Sequence, residues 1–406
     1  MRACYVKLPN AGIGERASTL GATPENLVFC DGDFPEPSWP PHENYGLEAP
    51  CYKLKVIATS PTRGELTWTE TANMKKRIGP GPIPGHDVVG QIVCGCADTA
   101  KYKPGDFVYG LIDFDRDGAA AEFVVAYENE VCKINEVSAA SRVFAKEGHA
   151  SSEFERISHL ASLAAIPMTG LSAYQALFEK GGLDPPRAGP GAQLVSPPVK
   201  KVLITGASGP VRQVAVQLSH RARSSTQLLH VTAICGPGQS ELISHLGADS
   251  VGIVSEIKAI IHRHGPFDLV LELTGGTIRE MVLSNHKLMP GDHQRLESAL
   301  LKPDGKVVSI TAPFRPASHN VLEPFRLQPG LTPRELQHLE ARFVFFVVKP
   351  DSGQLELLLK LVTMGKLVVS CHDEAYDLDS AIDAFRECEK RWRRTMGKVV
   401  ICISDP

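Results

Sequence analysis

A turn that contains glycine lies between a β-branched run and a segment with helical spacing. Val202–Thr205 forms the β-branched run, and the helical spacing begins at Val211. Glycines in such a turn permit a tight bend, a close approach of the backbone to a pyrophosphate, and close packing of helix on strand. The turn is therefore a candidate dinucleotide site, and it comprises Gly206, Ala207, Ser208, Gly209, Pro210, Val211 and Arg212.

Two residues of this turn change its chemistry. Pro210 removes a backbone N–H donor, although proline is tolerated in a first helical turn. Arg212 places a long side chain where helix and strand normally touch. Its guanidinium could pair with a phosphate, or its bulk could block the site, and the sequence leaves both alternatives open.

A second candidate contact with the cofactor follows the next predicted strand, residues 229–234. NAD enzymes place an acid there to hold the ribose hydroxyls, whereas this chain has Cys235 and, four residues later, Gln239. NADP enzymes usually offer a basic side chain to the 2′-phosphate, and this segment has none. Arg221 and Arg223, after the predicted helix, are the nearest residues that could contribute this charge. The missing acid argues more strongly against NAD than the missing base argues against NADP. The sequence thus favours NADP(H).

The segments around the turn alternate between strand and helix. Buried parallel strands separated by helices form a doubly wound sheet. The predicted strands are 202–205, 229–234, 268–273, 306–311 and 343–348, and the predicted helices are 211–223 and 239–246.

The first 170 residues instead have short alternating β-segments separated by turns. The Pro-rich, acidic stretch Phe29–Pro50 and the Pro- and Gly-rich stretch Lys180–Lys200 are predicted loops. The cluster Arg391–Arg394 is interpreted as a solvated helix face, as are His262 and His264 at a helix end. Further predicted strands are 53–58, 87–94, 106–111, 121–125 and 398–403, with helices at 355–364 and 381–388.

Composition excludes several functional classes. The formal net charge is −3 with 43 basic and 46 acidic residues, which gives no electrostatic argument for nucleic acid or an anionic membrane. The longest apolar run, Phe343–Val348, is far shorter than the roughly twenty residues of a membrane-spanning helix. Ten cysteines without a CxxC pair indicate reduced thiols rather than a disulfide framework. We therefore expect a cytoplasmic protein whose partner is a small-molecule substrate, with neither nucleic acid nor membrane.

Ordered motifs along the chain resemble the medium-chain dehydrogenase/reductase superfamily, and more narrowly its zinc-independent quinone-oxidoreductase and enoyl-reductase branch. The matches run from about residue 50 to 403. They are Ile83–Gly90, Lys103–Gly110, Gly118–Val124, Ile166–Leu177, Leu246–Asp249, Phe267–Glu272, Leu301–Lys306 and Gly397–Val400.

The resemblance implies an α/β fold in which a GroES-like β-barrel catalytic domain carries an inserted Rossmann domain with a doubly wound parallel sheet. The expected bounds are 1–170 for the first part of the catalytic domain, 171–345 for the Rossmann domain and 346–406 for the return to the catalytic domain. The family often forms dimers, so the resemblance also allows a homodimer. In this branch the glycine turn usually reads Gly-Ala-Ser-Gly-Gly-Val-Gly, from which Pro210 and Arg212 depart.

Zinc is not expected, although zinc-dependent members of the superfamily exist. Their first cysteine ligand falls at Thr62, while His86 and Asp87 occupy the Gly-His-acid position. Because catalytic zinc needs three protein ligands, one histidine and one acid without a thiolate make a poor site. The four-cysteine structural lobe of those members is absent from the sequence.

The resemblance implies that the cofactor supplies most of the chemistry while the protein orients it. Arg63 could stabilise an enolate-like oxyanion, against the alternative of a solvated surface residue. Tyr174 is a second catalytic candidate, against packing at a domain junction. Thr169 lies near the nicotinamide by resemblance.

The expected function is an oxidoreductase that uses NADPH to reduce an activated C=C bond or a quinone-like small molecule, with secondary metabolism as one setting. The alternative is a non-redox cyclase, isomerase or binding protein on the same fold that has lost nicotinamide binding.

Overall fold

The computed structural model describes most of the chain. The predicted loops Phe29–Pro50 and Lys180–Lys200 lie partly outside the described residues, and the cluster Arg391–Arg394 lies wholly outside them. The described residues are 1–7, 22–37, 50–68, 81–96, 101–135, 159–186, 198–224, 226–273, 300–310, 342–372, 376–390 and 397–404.

Fifteen strands and six α-helices are described here. The strands are β1 (Ala3–Val6), β2 (Leu27–Cys30), β3 (Cys51–Ser60), β4 (Asp87–Gly95), β5 (Phe107–Leu111), β6 (Phe123–Tyr127), β7 (Val131–Lys133), β8 (Val199–Ile204), β9 (Leu228–Cys235), β10 (Ser250–Ile253), β11 (Phe267–Glu272), β12 (Leu301–Ser309), β13 (Phe343–Phe345), β14 (Tyr376–Asp377) and β15 (Ile401–Cys402). The helices are α1 (Pro167–Tyr174, continued by a π-helical turn over Gln175–Lys180), α2 (Pro210–Arg221), α3 (Ser240–His245), α4 (Ile257–His264), α5 (Ser352–Thr363) and α6 (Ala381–Lys390).

The chain divides into two compact units, residues 1–171 with 349–406, and residues 172–348. The first unit contains a seven-stranded sheet in the order β14-β15-β3-β4-β5-β7, with β6 also paired to β3. Its pairs are antiparallel except for β14–β15. Alternate residues of β3, among them Tyr52, Leu54 and Val56, enter its hydrophobic core, as expected for a strand with one face toward a core.

The second unit contains a six-stranded sheet in the order β10-β9-β8-β11-β12-β13, and every pair in it is parallel. The order reverses between β8 and β11, which makes this the topological switch point where ligands bind in doubly wound folds. Helix α4 buries Ile257, Ile260 and Ile261, because residues three and four apart share one face of a helix. The expected α/β fold class is confirmed.

Two strands of the structure are shorter than the hydrophobic runs from which they were predicted. The run 343–348 pairs only over β13, so the apolar pattern overestimates the paired length. The predicted strand 398–403 is reduced to β15 and an isolated bridge between Lys398 and Cys371. In the parts of the chain that the structure describes, no helix has the length and apolar character needed to cross a membrane.

Candidate functional site

The glycine turn joins β8 to α2 at the carboxyl-terminal edge of the parallel sheet. Gly206 has a φ of +63°, a backbone conformation that glycine adopts without strain. The Ala207 N–H donates to Ile234 O of β9 at 2.6 Å, and the Thr205 N–H donates to Leu271 O of β11 at 3.0 Å. The turn is thus held by both strands that flank β8.

The segment after β9 lies against this turn. The Gly236 N–H donates to Ser208 Oγ at 3.1 Å, and the Gln239 N–H donates to Gly236 O at 3.3 Å. Cys235 is fully buried, with Sγ 3.8 Å from Ser240 Oγ, and burial raises the pKa of its thiol. The structure therefore brings together the two predicted cofactor segments, 206–212 and 235–239, but it directs the Cys235 side chain into the interior.

Arg212 folds back over the turn instead of extending into solvent. Its Nη1 donates to Gly206 O at 3.2 Å, and its Nη2 donates to Leu273 O, directly after β11. A Cβ on Gly209 would lie only 2.7 Å from Nη1, so that the guanidinium in this position packs directly against the glycine. The guanidinium thus connects the ends of β8 and β11 across the switch point.

The contacts of Arg223 argue against the alternative that it contributes charge to a cofactor phosphate. Arg223 donates from Nε to Leu229 O at 3.0 Å, and its Nη2 pairs with Asp249. Leu229 and Cys235 lie six residues apart in β9, about 20 Å at the usual rise of a strand. Arg223, and Arg221 at the end of α2, lie toward the opposite edge of the sheet because α2 runs back from the turn.

The turn fits the pyrophosphate of a dinucleotide, although with fewer backbone donors than a glycine-only turn. It lies at the N-terminus of a twelve-residue helix, where backbone N–H groups and the helix dipole favour an anion. Pro210 is the first residue of that helix and supplies no N–H, whereas Arg212 adds a positive charge beside the turn. The donor set therefore suits phosphate.

A second polar cluster lies within the first unit. Asp87, at the start of β4, accepts a hydrogen bond from the Met168 N–H at 2.6 Å and so caps the N-terminus of α1. The Lys398 ammonium lies 3.0 Å from Asp87 Oδ2, 3.1 Å from Thr62 Oγ1 and 3.2 Å from Pro61 O. Two segments 311 residues apart therefore meet in one buried ion pair.

This cluster does not fit catalytic zinc. Thr62 offers a hydroxyl that accepts a hydrogen bond from Lys398, and Asp87 is already paired with the same ammonium. His86 lies 5.1 Å from Phe114 and 6.4 Å from Trp68 between ring centroids. Among the described residues, no group of three or more His, Cys, Asp or Glu side chains could hold a metal ion.

Two other buried groups of this cluster have shifted pKa values. Glu65 accepts hydrogen bonds from the N–H groups of Thr62 at 2.8 Å and Gly85 at 2.7 Å, and burial raises its pKa to about 7. Burial, reinforced by the charge of Arg116, lowers the pKa of His86 to about 4. No motif in the sequence distinguishes Glu65, since only the fold buries it beside Asp87 and Lys398.

The catalytic candidates belong to different units. Arg63 is half-exposed, with Nε 3.7 Å from Glu389 Oε2, while the Tyr174 ring packs edge-on against Phe178 at 4.8 Å. Thr169 is buried in α1, and a Cβ on the neighbouring Gly170 would lie 2.7 Å from Leu358 Cδ1. Their predicted roles toward substrate and nicotinamide stay predictions.

The chain is similar to oxidoreductases over most of its length. A family model described as zinc-binding dehydrogenase matches residues 246–401. The chloroplastic quinone-oxidoreductase QR1 of Triphysaria versicolor is 29% identical over 386 residues, which cover 89% of this chain and 96% of the relative. The mitochondrial NAD(P)H oxidoreductase RTN4IP1 of Bos taurus is 28% identical over 329 residues, covering 79% and 70%.

A solved structure shares the fold. The quinone oxidoreductase from Coxiella burnetii aligns with a TM-score of 0.64 at 20% sequence identity, covering 100% of this chain and 99% of that one. At this identity the likeness concerns the fold alone, and it agrees with the α/β architecture described above.

Proposed function

We propose that this chain, a member of the medium-chain dehydrogenase/reductase superfamily in its quinone-oxidoreductase-like branch, reduces a quinone-like small molecule or an activated C=C bond with NADPH. The observation that carries this proposal is the glycine turn at the switch point of the parallel sheet. The names of the relatives, a quinone-oxidoreductase and an NAD(P)H oxidoreductase, support the same reaction class.

Residues of the turn bind the pyrophosphate in this proposal. The Val211 N–H and the N-terminus of α2 face the anion, and the Arg212 guanidinium balances its charge. The hydrogen bonds from Arg212 to Gly206 O and Leu273 O hold that charge in a fixed position beside the turn. The bound dinucleotide supplies the hydride, and the protein supplies orientation and electrostatics.

The preference for NADPH over NADH rests on the end of β9. The buried Cys235 offers no carboxylate to the ribose hydroxyls, which NAD enzymes hold with an acid. A 2′-phosphate meets no such acid here and suffers no repulsion from one. In this proposal, the preference for NADPH over NADH arises because the acid that would hold the ribose hydroxyls of NADH is replaced by Cys235.

A second candidate function follows from the same arginine. The guanidinium spans β8 and β11, and a side chain in that position reduces the room for a pyrophosphate. In that case the fold serves a reaction without nicotinamide, such as a cyclisation or isomerisation, or binding alone.

Calorimetric titration of the purified protein with NADPH, and separately with NADH, distinguishes these functions. We expect both to bind, NADPH more tightly, and the absorbance of NADPH to fall only when a quinone or an enone is added. Tighter binding of NADH would refute the NADPH preference. Binding of neither nucleotide would refute the reductase, and turnover of a candidate substrate without nicotinamide would then favour the cyclase or isomerase over a binding protein.

A further inference from the structure

Two cysteines face each other across the end of the strand pair β3–β4. Cys51 is the first residue of β3, and Cys96 directly follows β4. The neighbouring register pair is Tyr52 with Gly95, so Cys51 and Cys96 are the next opposed pair in the antiparallel ladder.

The hydrogen bonds of this pair bring the two side chains together. The Cys96 N–H donates to Cys51 O at 3.0 Å, and the Cys51 N–H donates to Cys96 Sγ at 3.1 Å. The second bond replaces the usual backbone acceptor with sulfur, and it holds the Cys96 sulfur against the Cys51 backbone. Directly opposed residues of an antiparallel pair have Cα atoms about 4.5–5.5 Å apart, within the ~4.4–6.8 Å that a disulfide spans.

The two thiols differ in accessibility. Cys96 is exposed, whereas Cys51 is 2% exposed. A dissolved oxidant therefore reaches Cys96 first, and Cys51 is positioned behind it as the resolving thiol. Burial, with a contribution from Cys96 itself, raises the pKa of Cys51 to about 12.

We propose that Cys51 and Cys96 form a reversible disulfide when the protein meets hydrogen peroxide, which makes this strand pair a redox modification site. The Cys96 sulfur attacks one peroxide oxygen, so that an S–O bond forms, the O–O bond breaks and water leaves. The Cys51 sulfur then attacks the Cys96 sulfur, so that the S–S bond forms, the S–O bond breaks, and the Cys51 proton leaves in a second water. Two thiols are oxidised by two electrons, and the peroxide is reduced to two waters.

The bond would covalently join the ends of β3 and β4. The register of the β3–β4 pairing shifts twice, between Lys53 and Leu54 and between Val56 and Ala58. A covalent link at position 51 constrains this register. A disulfide that closes the loop between residues 51 and 96 also lowers the conformational entropy of the unfolded chain, which stabilises the folded state. The oxidised protein is therefore expected to unfold at a higher temperature than the reduced protein.

The test treats the full chain with hydrogen peroxide, without nicotinamide or substrate, and maps disulfides by peptide mass spectrometry. We expect a peptide pair linked through Cys51 and Cys96 with the loss of two hydrogen atoms, and denatured thiols falling from ten to eight. Dithiothreitol should restore all ten thiols and the lower unfolding temperature.

Three variants complete the test. Cys96→Ser, at an exposed position, and Cys51→Ala should each abolish the linked peptide. Cys94→Ser, two residues from Cys96 and opposite Lys53, is the matched control and should preserve the linked peptide. A Cys94–Cys96 bond, a link between two chains, or no link after peroxide treatment would overturn the proposal. Because no cofactor takes part, these results do not depend on the proposed reductase function.

Discussion

Lys398 and Asp87 form a buried ion pair, with 3.0 Å between Nζ and Oδ2 and side-chain exposures of 8% and 0%. The pair joins the end of the chain to the start of β4, and through Asp87 Oδ1 it also reaches the Met168 N–H of α1. Burial raises the pKa of Asp87, and the nearby Lys398 ammonium opposes that rise. One carboxylate thus connects three segments of the first unit.

Removing one member of this pair should destabilise the protein strongly. Lys398→Met leaves the Asp87 charge buried without its partner, which costs about 3–5 kcal/mol of unfolding free energy. Asp87→Asn should cost a similar amount, and the double variant should cost less than the sum because no unpaired charge remains. Chemical denaturation of the four proteins measures the coupling.

The more exposed pair Lys133–Asp106, at 2.6 Å and with side-chain exposures of 43% and 19%, provides the control for that cycle. Lys133→Met should change the unfolding free energy by about 1 kcal/mol or less. Equal effects of Lys398→Met and Lys133→Met would mean that burial of the Lys398–Asp87 pair has no energetic consequence.

His86 should make the folded state sensitive to acid. Its pKa is lowered to about 4, so below the ordinary value near ~6.5 the unfolded chain binds a proton that the folded chain does not. Its contribution to stability is complete above that ordinary value, and at most about 3 kcal/mol is lost as the pH falls toward 4. His86→Phe should remove this loss, measured as the unfolding free energy between about pH 7 and pH 4.5.

Glu65 should act in the opposite direction over an overlapping range. Its pKa is raised to about 7, so between its ordinary value and 7 the folded chain binds the extra proton and stability falls as the pH rises. In the wild type, the effects of His86 and Glu65 on the pH dependence of the unfolding free energy partly cancel. Glu65→Gln should therefore make the unfolding free energy fall more steeply on acidification, and an unchanged slope would contradict the raised pKa.

Arg212→Ala should weaken NADPH binding about tenfold, because a charge-assisted hydrogen bond to phosphate contributes roughly 1.5–3 kcal/mol and ~1.4 kcal/mol is one decade. Calorimetry measures the affinity. Arg221→Ala, at the far end of the same helix, is the control and should leave the affinity unchanged. Tighter binding in Arg212→Ala would show that the guanidinium blocks the site, and improvement in the double variant Pro210→Gly with Arg212→Gly would agree with that.

Metal analysis of the purified protein should find no stoichiometric zinc. Thr62 supplies no thiolate, and Lys398 places an ammonium 3.1 Å from its hydroxyl, where it repels a second cation. One tightly held zinc per chain would contradict this prediction, and removing that zinc should then alter the unfolding temperature.

The sequence by itself determined most of the elements and the location of the glycine turn. Apolar runs separated by helical periods predict a parallel sheet because each element must bury its own hydrophobic face, and this local information is sufficient to place Gly206–Gly209 between β8 and α2. It also shows that Cys235 lies at the end of β9, where NAD enzymes place an acid, and the preference for NADPH drawn from it stays a prediction. The boundaries of the strands did not follow from the apolar runs, as β13 shows, since an apolar run does not specify which of its residues pair.

Only the tertiary structure decided which residues meet. The hydrogen bond from Arg212 to Leu273 O depends on β11 lying beside β8. The distance of Arg223 from the glycine turn depends on the direction of α2. The pairing of Lys398 with Asp87, and the burial that moves the pKa of Glu65 and His86 in opposite directions, need contacts between segments distant in the chain. No spacing along the sequence encodes such contacts, because they arise from the packing of the whole unit.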